Sequence, residues 1–557
     1  MIELDKNILE TDVLVIGGGI AGLMAAISAA GKGARVVVAE KAHTRRSGCG
    51  ATGNDHFLCY CPPVHGDDMA PILEEVERSQ IAGFHDPSLT RLFLEQSFER
   101  VRNWHDWGID MRPHGDWEFS GHAFPDRPRV WLKYAGHNQK PVLTRRAKEV
   151  GVHIVNHLPV VDLLVEGGRV VGALGLNIRD EQPLLTVIRT NAAIIATGSG
   201  NRLYPAPASP GWMFNIAQCP SCTGSAQALV FRAGGRLVNM EFPARHAGPK
   251  FFNRCGKATW IGMIKDPHGR KVGPFVERAT RWVGDITADA WNSVFTDMLR
   301  NGTGPSYMDC TETSPDDLDY MIWGLGNEGN TGMLQYMAAE GIDFRKHMVE
   351  FMQYEPFLVG RGVDIDATAA SSLPGLFAAG DPVGNFRGDI AGAATFGWIA
   401  GESAAACAGE AGPFVDSEKH PLVRERMDLF SEWMSRQNGP DWKEANLAVQ
   451  QIMNDYAGVD VRSETLLKAG LKYLGDLKTK TLERLMTPNA HALMRAVEVL
   501  DLFECGEVIF RAALERKETR AMHRRKDFPF TNPLLADKFL TIVKVNGEPR
   551  LQWRAKW

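Results

Sequence analysis

The sequence predicts an α/β fold over most of the chain and a helical region at its end. Two observations carry this. A strand–helix–strand unit with a glycine-rich turn fills the first forty residues, and from about residue 415 apolar residues recur at helical spacing. In the opening unit, Thr11–Ile16 is an apolar stretch of strand length. Gly17-Gly18-Gly19-Ile20-Ala21-Gly22 follows, then the small helical run Leu23–Ala30, then a second buried strand, Ala34–Glu40, that ends in an acid. This is G-x-G-x-x-G at a βαβ turn. Gly17 permits the tight turn, Gly19 lets the backbone approach a pyrophosphate, and Gly22 lets helix and strand pack closely. The helix N-terminus, including Ile20 and Ala21, offers N–H groups and a positive dipole end to that pyrophosphate. Glu40 lies 18 residues past Gly22, where an acid accepts hydrogen bonds from ribose hydroxyls. The motif implies a dinucleotide and leaves FAD and NAD both open.

Composition bounds the rest. A chain of 557 residues is too long for one core, so two or three domains are expected. Apolar content of 44% and charged content of 23% are those of a globular protein. A net charge of −5 argues against a general nucleic-acid or membrane-surface binder. No apolar run approaches the roughly 20 residues of a membrane span, so no direct membrane insertion is expected. Nine cysteines without a secretory signal fit a reducing, cytoplasmic setting.

Along the chain, Lys41 to Gly53 holds too many glycines for a helix and reads as a loop passing close to a ligand. Cys59, Cys61 and His65 lack a zinc spacing, and no metal site is expected. Residues 70 to 112 look helical and 113 to 140 irregular, with Trp131–Lys140 read as ligand-facing. Lys140–Glu149 reads as a helix and Val152–Val155 as a short strand. Leu163–Leu174 is a hairpin turning at Gly167-Gly168, and Ala192–Gly200 is a buried strand running into a small-residue turn. Leu422–Met434, Leu466–Leu477 and Ala490–Leu514 carry helical periodicity. Asn546-Gly547 between two apolar runs signals a hairpin.

These blocks carry a resemblance. The βαβ opening, the hairpin E-G-G-R-V-V-G-A and Ile194-Ile195-Ala196-Thr197-Gly198 resemble two-dinucleotide-fold FAD proteins. Leu373–Asp381 looks like the strand and turn that set an acid against the flavin ribityl chain. Gly392–Gly401 looks like the small-residue helix beside the isoalloxazine. Cys222–Gly235 with Asn239–Phe242, and Glu518–Pro529, are similar to the capping-domain entry and the "ESRGAHxRxDFP" signature of fumarate reductase, succinate dehydrogenase and adenylylsulfate reductase flavoproteins. Glu40-Lys41-Ala42 with Arg46-Ser47-Gly48, Phe242–Arg245, Gly304–Asp309 and Tyr354–Gly360 resemble the adenylylsulfate reductase α-subunit most closely.

The resemblance implies a two-dinucleotide-fold, Rossmann-like FAD-binding domain (1–243 and 351–414), an inserted α+β capping domain (244–350) and a C-terminal helical domain with tail (415–557). It implies FAD held by Gly17, Gly19, Ile20, Ala21, Gly22, Glu40, Lys41, Ser47, Gly48, Thr52, Gly53, Ala196, Thr197, Gly198, Gly380, Asp381, Ala394 and Thr395. As electron partner it implies an iron–sulfur, ferredoxin-like β-subunit.

Several positions depart from the family. Gly48 stands where succinate dehydrogenases carry a histidine covalently bound to FAD, so non-covalent FAD is expected. Thr287–Ser293 lacks the proton-donating arginine of the fumarate reductases. Gly360–Asp364 lacks the histidine of the adenylylsulfate enzymes, whose base-stacking tryptophan falls beside Ser221.

At the flavin face the candidates are Arg245, His246 and Arg387, with Arg361 as a weaker fourth. Arg245 and His246 are expected to supply an anion contact and a proton-transfer role. Arg387 matches the carboxylate-binding arginine of the fumarate reductases, and a guanidinium there gives bidentate recognition of an oxyanion. The implied substrate is a small anion. Cys219-Pro220-Ser221-Cys222 is a lone C-x-x-C, expected beside the capping-domain entry and away from the flavin segments. No run of closely spaced cysteines indicates an internal iron–sulfur cluster. The function expected is that of an FAD-dependent oxidoreductase, as the flavoprotein component of a complex. A true adenylylsulfate reductase α-subunit, a stand-alone oxidase or dehydrogenase, and a non-catalytic electron relay stay open.

Overall fold

The computed structural model describes residues 4–78, 84–120, 127–250, 252, 260–272, 280–281 and 292–557. Its centre is a seven-stranded sheet. We label the strands β1 (Lys6–Ile16), β2 (Val36–Glu40), β3 (His153–Asn156), β4 (Val160–Glu166), β5 (Arg169–Asn177), β6 (Leu184–Ile195) and β7 (Leu376–Ala378). The order is β3-β2-β1-β6-β5-β4, and β7 also pairs with β6. The β1, β2, β3, β6 and β7 pairings are parallel, with Val13 opposite Val36, Ile16 opposite Ile195 and Phe377 opposite Ile194. Parallel strands need both faces covered, so β2 is buried along its whole length and reads as a continuous apolar run. The β4–β5 hairpin turns through Gly167 and Gly168, both at positive φ.

Two helices cover this sheet. Helix α1 (Ile20–Gly31) packs against α2 (Asp389–Gly409) through small residues. A Cβ added to Gly397 or Gly401 would overlap the carbonyl oxygen of Ala21 or Ala25. Glycine is what lets the two backbones come this close.

Residues 70 to 112 do not form one helix. Ala70–Arg78 and Pro87–Asp106 are separate, because Pro87 lacks an N–H and starts the second helix after Asp86. Within the stretch read as irregular, Trp131–Lys133 forms a short strand against His56–Leu58.

A second hydrophobic cluster, including Trp260, Met308, Leu318, Met321 and Phe351, lies within the chain between β6 and β7. It sits under a four-stranded sheet of residues 247–249, 349–353, 306–309 and 263–265. The fold is thus an α/β cofactor domain, an inserted α+β unit and a helical C-terminal region, as the sequence predicts. The C-terminal helices are Pro421–Ser435, Trp442–Ala457, Glu464–Arg484 and Ala490–Glu515. Of these, Trp442–Ala457 is the one the sequence reading does not anticipate.

The tail is a hairpin, Lys538–Val545 with Glu548–Ala555, turning at Asn546 and Gly547 with positive φ at both. It pairs with Leu237–Val238 and so joins the strand that leads into the inserted unit. A buried charge network ties the same points. Glu241 accepts from Arg516 at 2.5 Å through its carboxylate and from Arg462 at 2.6 Å through its backbone carbonyl. Glu518 accepts from Arg516 at 2.7 Å and from Arg520 at 2.9 Å.

Candidate functional site

A cleft opens where β1 meets α1. Gly17 has φ +100°, and a Cβ there would stand 2.6 Å from the Ala196 carbonyl oxygen, so only glycine lets β1 turn beside β6. Gly19 is the opposite case. Its φ is −70° and nothing lies within 4 Å of where its Cβ would stand. It lines the cleft and leaves a cradle at the α1 N-terminus, where no side chain caps the helix and the first turn holds no acid. Those N–H groups and the dipole suit a pyrophosphate.

Glu40 also lines the cleft, but its carboxylate is engaged by the loop itself. It accepts from the Gly18 N–H at 2.6 Å and the Ala42 N–H at 2.7 Å. Behind the loop, buried Lys140 donates to the Gly18 carbonyl. Burial pushes the Lys140 pKa down to about 8, against the pull of Glu40. Lys41 contributes its stem to the wall, while its ammonium pairs with Glu498 at 2.7 Å and donates to the Ser221 carbonyl.

The remaining walls are Ile20 and Ala21 of α1, Ser47, Gly48, Gly53, the Ala196-Thr197-Gly198 turn, Gly380, Asp381 and the start of α2. The cleft is elongated and open at its mouth, and it runs from the α1 N-terminus past the Ala196-Thr197-Gly198 turn to Arg387. The hydroxyl of Ser47 is buried and has no hydrogen-bond partner among the described residues. That orphaned group, the Gly19 cradle and the cleft's elongated lining fit FAD. Gly48 has no side chain through which to attach it.

The far end of the cleft is polar. Asp381 is half-buried on the cleft wall. Burial, then Cys49 and Asp389, push its carboxyl up to about 8 against Arg387, so it is present as an acid able both to donate and to accept. Arg387 lines the cleft and its Nε donates to Asp389 at 2.8 Å. The Arg387 backbone N–H donates to His85 Nε2 at 3.1 Å. Burial, then Arg361 and Arg387, hold His85 down at about 3, hence neutral. His246 lines the cleft with its ring 5.0 Å from Phe357.

Here the structure adds residues that the sequence did not single out. His56 and Glu328 line the cleft, and His56 Nδ1 meets Asp55 at 2.5 Å and Glu328 at 3.5 Å. Asp55 pairs with Lys133 at 3.1 Å, with both side chains fully buried. Burial opposes ionisation of Asp55, yet Lys133 and His56 hold its carboxyl well below the usual carboxylate range. Asp55, His56 and Glu328 are the grouping of converging acid and histidine donors among the described residues. Lys133 already supplies Asp55 with a cation, so the grouping reads as a proton-handling dyad with a neighbouring acid. Asp55 and His56 are adjacent in sequence, but Lys133 and Glu328 arrive from distant segments.

Several predicted positions fall elsewhere. Gly22 is not on the wall, because a Cβ there would overlap the Gly17 carbonyl; its role is packing α1 on the loop. Thr52 packs against Gly329. Ala394 and Thr395 are buried behind the wall, because α2 begins at Asp389 and turns Asp389, Ile390 and Ala393 to the cleft. Arg245 is turned away from the cleft wall. It donates to Gln353 at 3.1 Å and lies 3.8 Å from Asp460, between the inserted sheet and the C-terminal helices. Arg361 stacks on Phe84 and donates to the Phe242 carbonyl at 2.6 Å.

Trp131–Lys140 backs the wall instead of facing it, with Gln139 donating to the Gly50 carbonyl at 2.7 Å. His65 accepts the Cys61 N–H at 2.9 Å, a helix-end contact. Cys219 and Cys222 do line the cleft, contrary to the expectation that they lie apart from the flavin segments. They arrive there because the loop entering helix Ser225–Arg232 folds back across Gly198. Of Thr287–Ser293, residues 287–291 lie outside the described residues.

Two family models match the chain: an FAD binding domain over residues 12–395 and a fumarate reductase flavoprotein C-terminal domain over residues 446–555. A subunit of the fumarate reductase (CoM/CoB) of Methanothermobacter marburgensis is 25% identical over 95% of this chain and 96% of its own length. The L-aspartate oxidase of Caulobacter vibrioides is 25% identical over 98% of both. Among solved structures, adenylylsulfate reductase from Archaeoglobus fulgidus superposes with a TM-score of 0.85 at 20% identity, over 100% of this chain and 96% of that one. An E. coli quinol fumarate reductase flavoprotein variant gives 0.82 at 19%, over 99% and 97%. At these identities the superpositions speak to the fold. No helix among the described residues is long and apolar enough to cross a membrane.

Proposed function

The chain belongs to the FAD-dependent oxidoreductases of the fumarate reductase/succinate dehydrogenase flavoprotein family, and from that premise we propose that it is the flavoprotein subunit of an electron-transfer complex acting on a small anionic substrate. One observation supports this most. A single cleft runs from the pyrophosphate cradle at Gly19 to an end where His246 and Glu328 of the inserted unit face Arg387 and His56 of the cofactor domain. Bound FAD supplies the two-electron exchange.

The chain's own groups do the rest. Gly19 and the α1 N-terminus take the pyrophosphate, Ser47 donates from the wall, and Asp381 offers a neutral carboxyl. Arg387, steadied by Asp389, orients the anion. Asp55 holds the His56 ring through Nδ1, and His56, on the cleft wall, gives or takes the substrate proton. The inserted unit contributes His246 and Glu328 to this end of the cleft. The sequence holds no cluster-binding cysteine run, so electrons are proposed to pass through an iron–sulfur partner.

The test is FAD-loaded protein, isolated with whatever co-purifies, assayed by reduced-viologen oxidation against fumarate and adenylylsulfate. AMP-dependent sulfite oxidation and L-aspartate oxidation by oxygen are run beside it. Viologen-linked turnover with a small oxyanion, lost in Arg387→Gln, supports the reading. AMP- and sulfite-dependent transfer would make it an adenylylsulfate reductase. Partner-free turnover with oxygen would replace it with an oxidase. Complex activity untouched by Arg387→Gln would reduce the protein to a relay.

A further inference from the structure

Three cysteines from two distant segments meet on the cleft wall. Cys49 follows Gly48 in the cofactor loop, and Cys219 and Cys222 end a four-residue turn closed by the Cys222 N–H donating to the Cys219 carbonyl at 3.0 Å. Ends of such a turn lie within about 7 Å of each other, inside the Cα separation a disulfide spans. The three thiols lie close enough to perturb one another, Cys222 with both Cys219 and Cys49. Cys222 is buried against Gly198, its sulfur 2.9 Å from where a Cβ would stand. Cys219 and Cys49 are half-buried and reach the cleft. Cys219 and Cys222 are both in the thiol form.

Packing alone accounts for Cys222, which fills the space beside a glycine. It does not account for Cys219, which presents a half-exposed thiol to a cofactor cleft. The turn is also held from outside, since Lys41 donates to the carbonyl of Ser221 between the two cysteines and is anchored by Glu498 at 2.7 Å. The arrangement is asymmetric. The Cys222 hydrogen bond lowers the Cys219 thiol, with Lys41 assisting, while hydrogen bonding to Cys219 and Cys49 and burial raise Cys222. A half-exposed thiol of lowered pKa beside a buried one of raised pKa is the asymmetry a C-x-x-C couple uses.

We infer that Cys219 and Cys222 form a dithiol–disulfide couple on the wall of the cofactor cleft that exchanges two electrons with the FAD bound there. The inference rests on the FAD reading of the cleft and is independent of the substrate. The step balances without another reagent. In one direction the two S–H bonds break, one S–S bond forms, and two electrons and two protons pass to oxidised FAD. In the other the disulfide accepts them back. The couple is a second two-electron store beside the flavin, and Cys49 holds Cys222 in place without joining the disulfide.

The experiment is an anaerobic dithionite titration of FAD-loaded protein, with flavin content measured first and thiols trapped with a mass-tagged alkylating reagent before and after. Each two-electron couple adds about two electrons per FAD. The wild-type protein should therefore take up about four, Cys219→Ser and Cys222→Ser about two, and Cys49→Ser about four. Peptide mapping should show Cys219 and Cys222 protected in the oxidised protein and both tagged after reduction, a readout that needs no variant to fold. Uptake of about two electrons by FAD-replete wild-type protein, or a disulfide mapped to Cys49, would overturn the couple and leave the FAD reading standing. Failure to retain FAD would sink both.

Discussion

Replacing Gly19 by alanine separates the cofactor cradle from the fold. Gly19 sits at φ −70°, a conformation alanine adopts freely, and its added methyl would meet nothing within 4 Å. The apo-protein should therefore keep its stability or gain about 0.4–1 kcal/mol from a stiffer unfolded chain. The methyl would stand where the pyrophosphate approaches the α1 N-terminus. Losing one charge-assisted N–H contact costs about 1.5–3 kcal/mol, so the FAD dissociation constant should rise roughly 10- to 150-fold. Gly22→Ala is the contrasting control. Its methyl overlaps the Gly17 carbonyl, and the resulting overpacking should cost about 1–3 kcal/mol of stability. Fluorescence titration of apo-protein with FAD, paired with thermal denaturation, reads both quantities. Wild-type FAD affinity in a well-folded Gly19→Ala protein would refute the cradle.

Four further outcomes are expected. Arg387→Lys should retain FAD but raise KM for the anionic substrate about 10- to 100-fold, since a point charge replaces a fork; steady-state kinetics checks this. His56→Gln should lower kcat by about 10²–10⁴ with FAD content unchanged, read by steady-state kinetics beside the flavin absorbance. Glu241→Gln removes one of the two carboxylates on buried Arg516, leaving Glu518 at 2.7 Å, and should cost about 1–3 kcal/mol in denaturant unfolding. The pH dependence of the apo-protein has a defined sign. Asp381 is raised to about 8 and Glu355 to about 7, both chiefly by burial. Each favours the folded state below its ordinary unfolded value and loses that contribution as pH rises through the folded one. His85, depressed to about 3 by burial, works the other way and is fully favourable only above about 6.5. From these three groups the melting temperature should fall between about pH 4.5 and about 8, more steeply once His85 no longer offsets the loss above about 6.5, and Asp381→Asn should flatten that limb. A slope unchanged in Asp381→Asn would rule Asp381 out as its source.

The opening βαβ unit, the β4–β5 hairpin, α2 and the tail hairpin were all legible in the chain, because each is specified locally. Gly17 and Gly167-Gly168 set backbone angles that no other residue adopts easily, and buried parallel strands read as unbroken apolar runs. The cofactor followed from the order of those blocks. The far end of the cleft was not legible, because its groups act across folded distance. Asp55 meets Lys133 and Glu328, Arg245 turns to Gln353 and Asp460, and Cys49 meets Cys222 only after β1, β6 and the inserted unit are assembled. Local sequence determined which cofactor this protein is built to hold. The tertiary structure decided which charges and thiols face it, because desolvation and pairing exist only once distant segments have closed on one another.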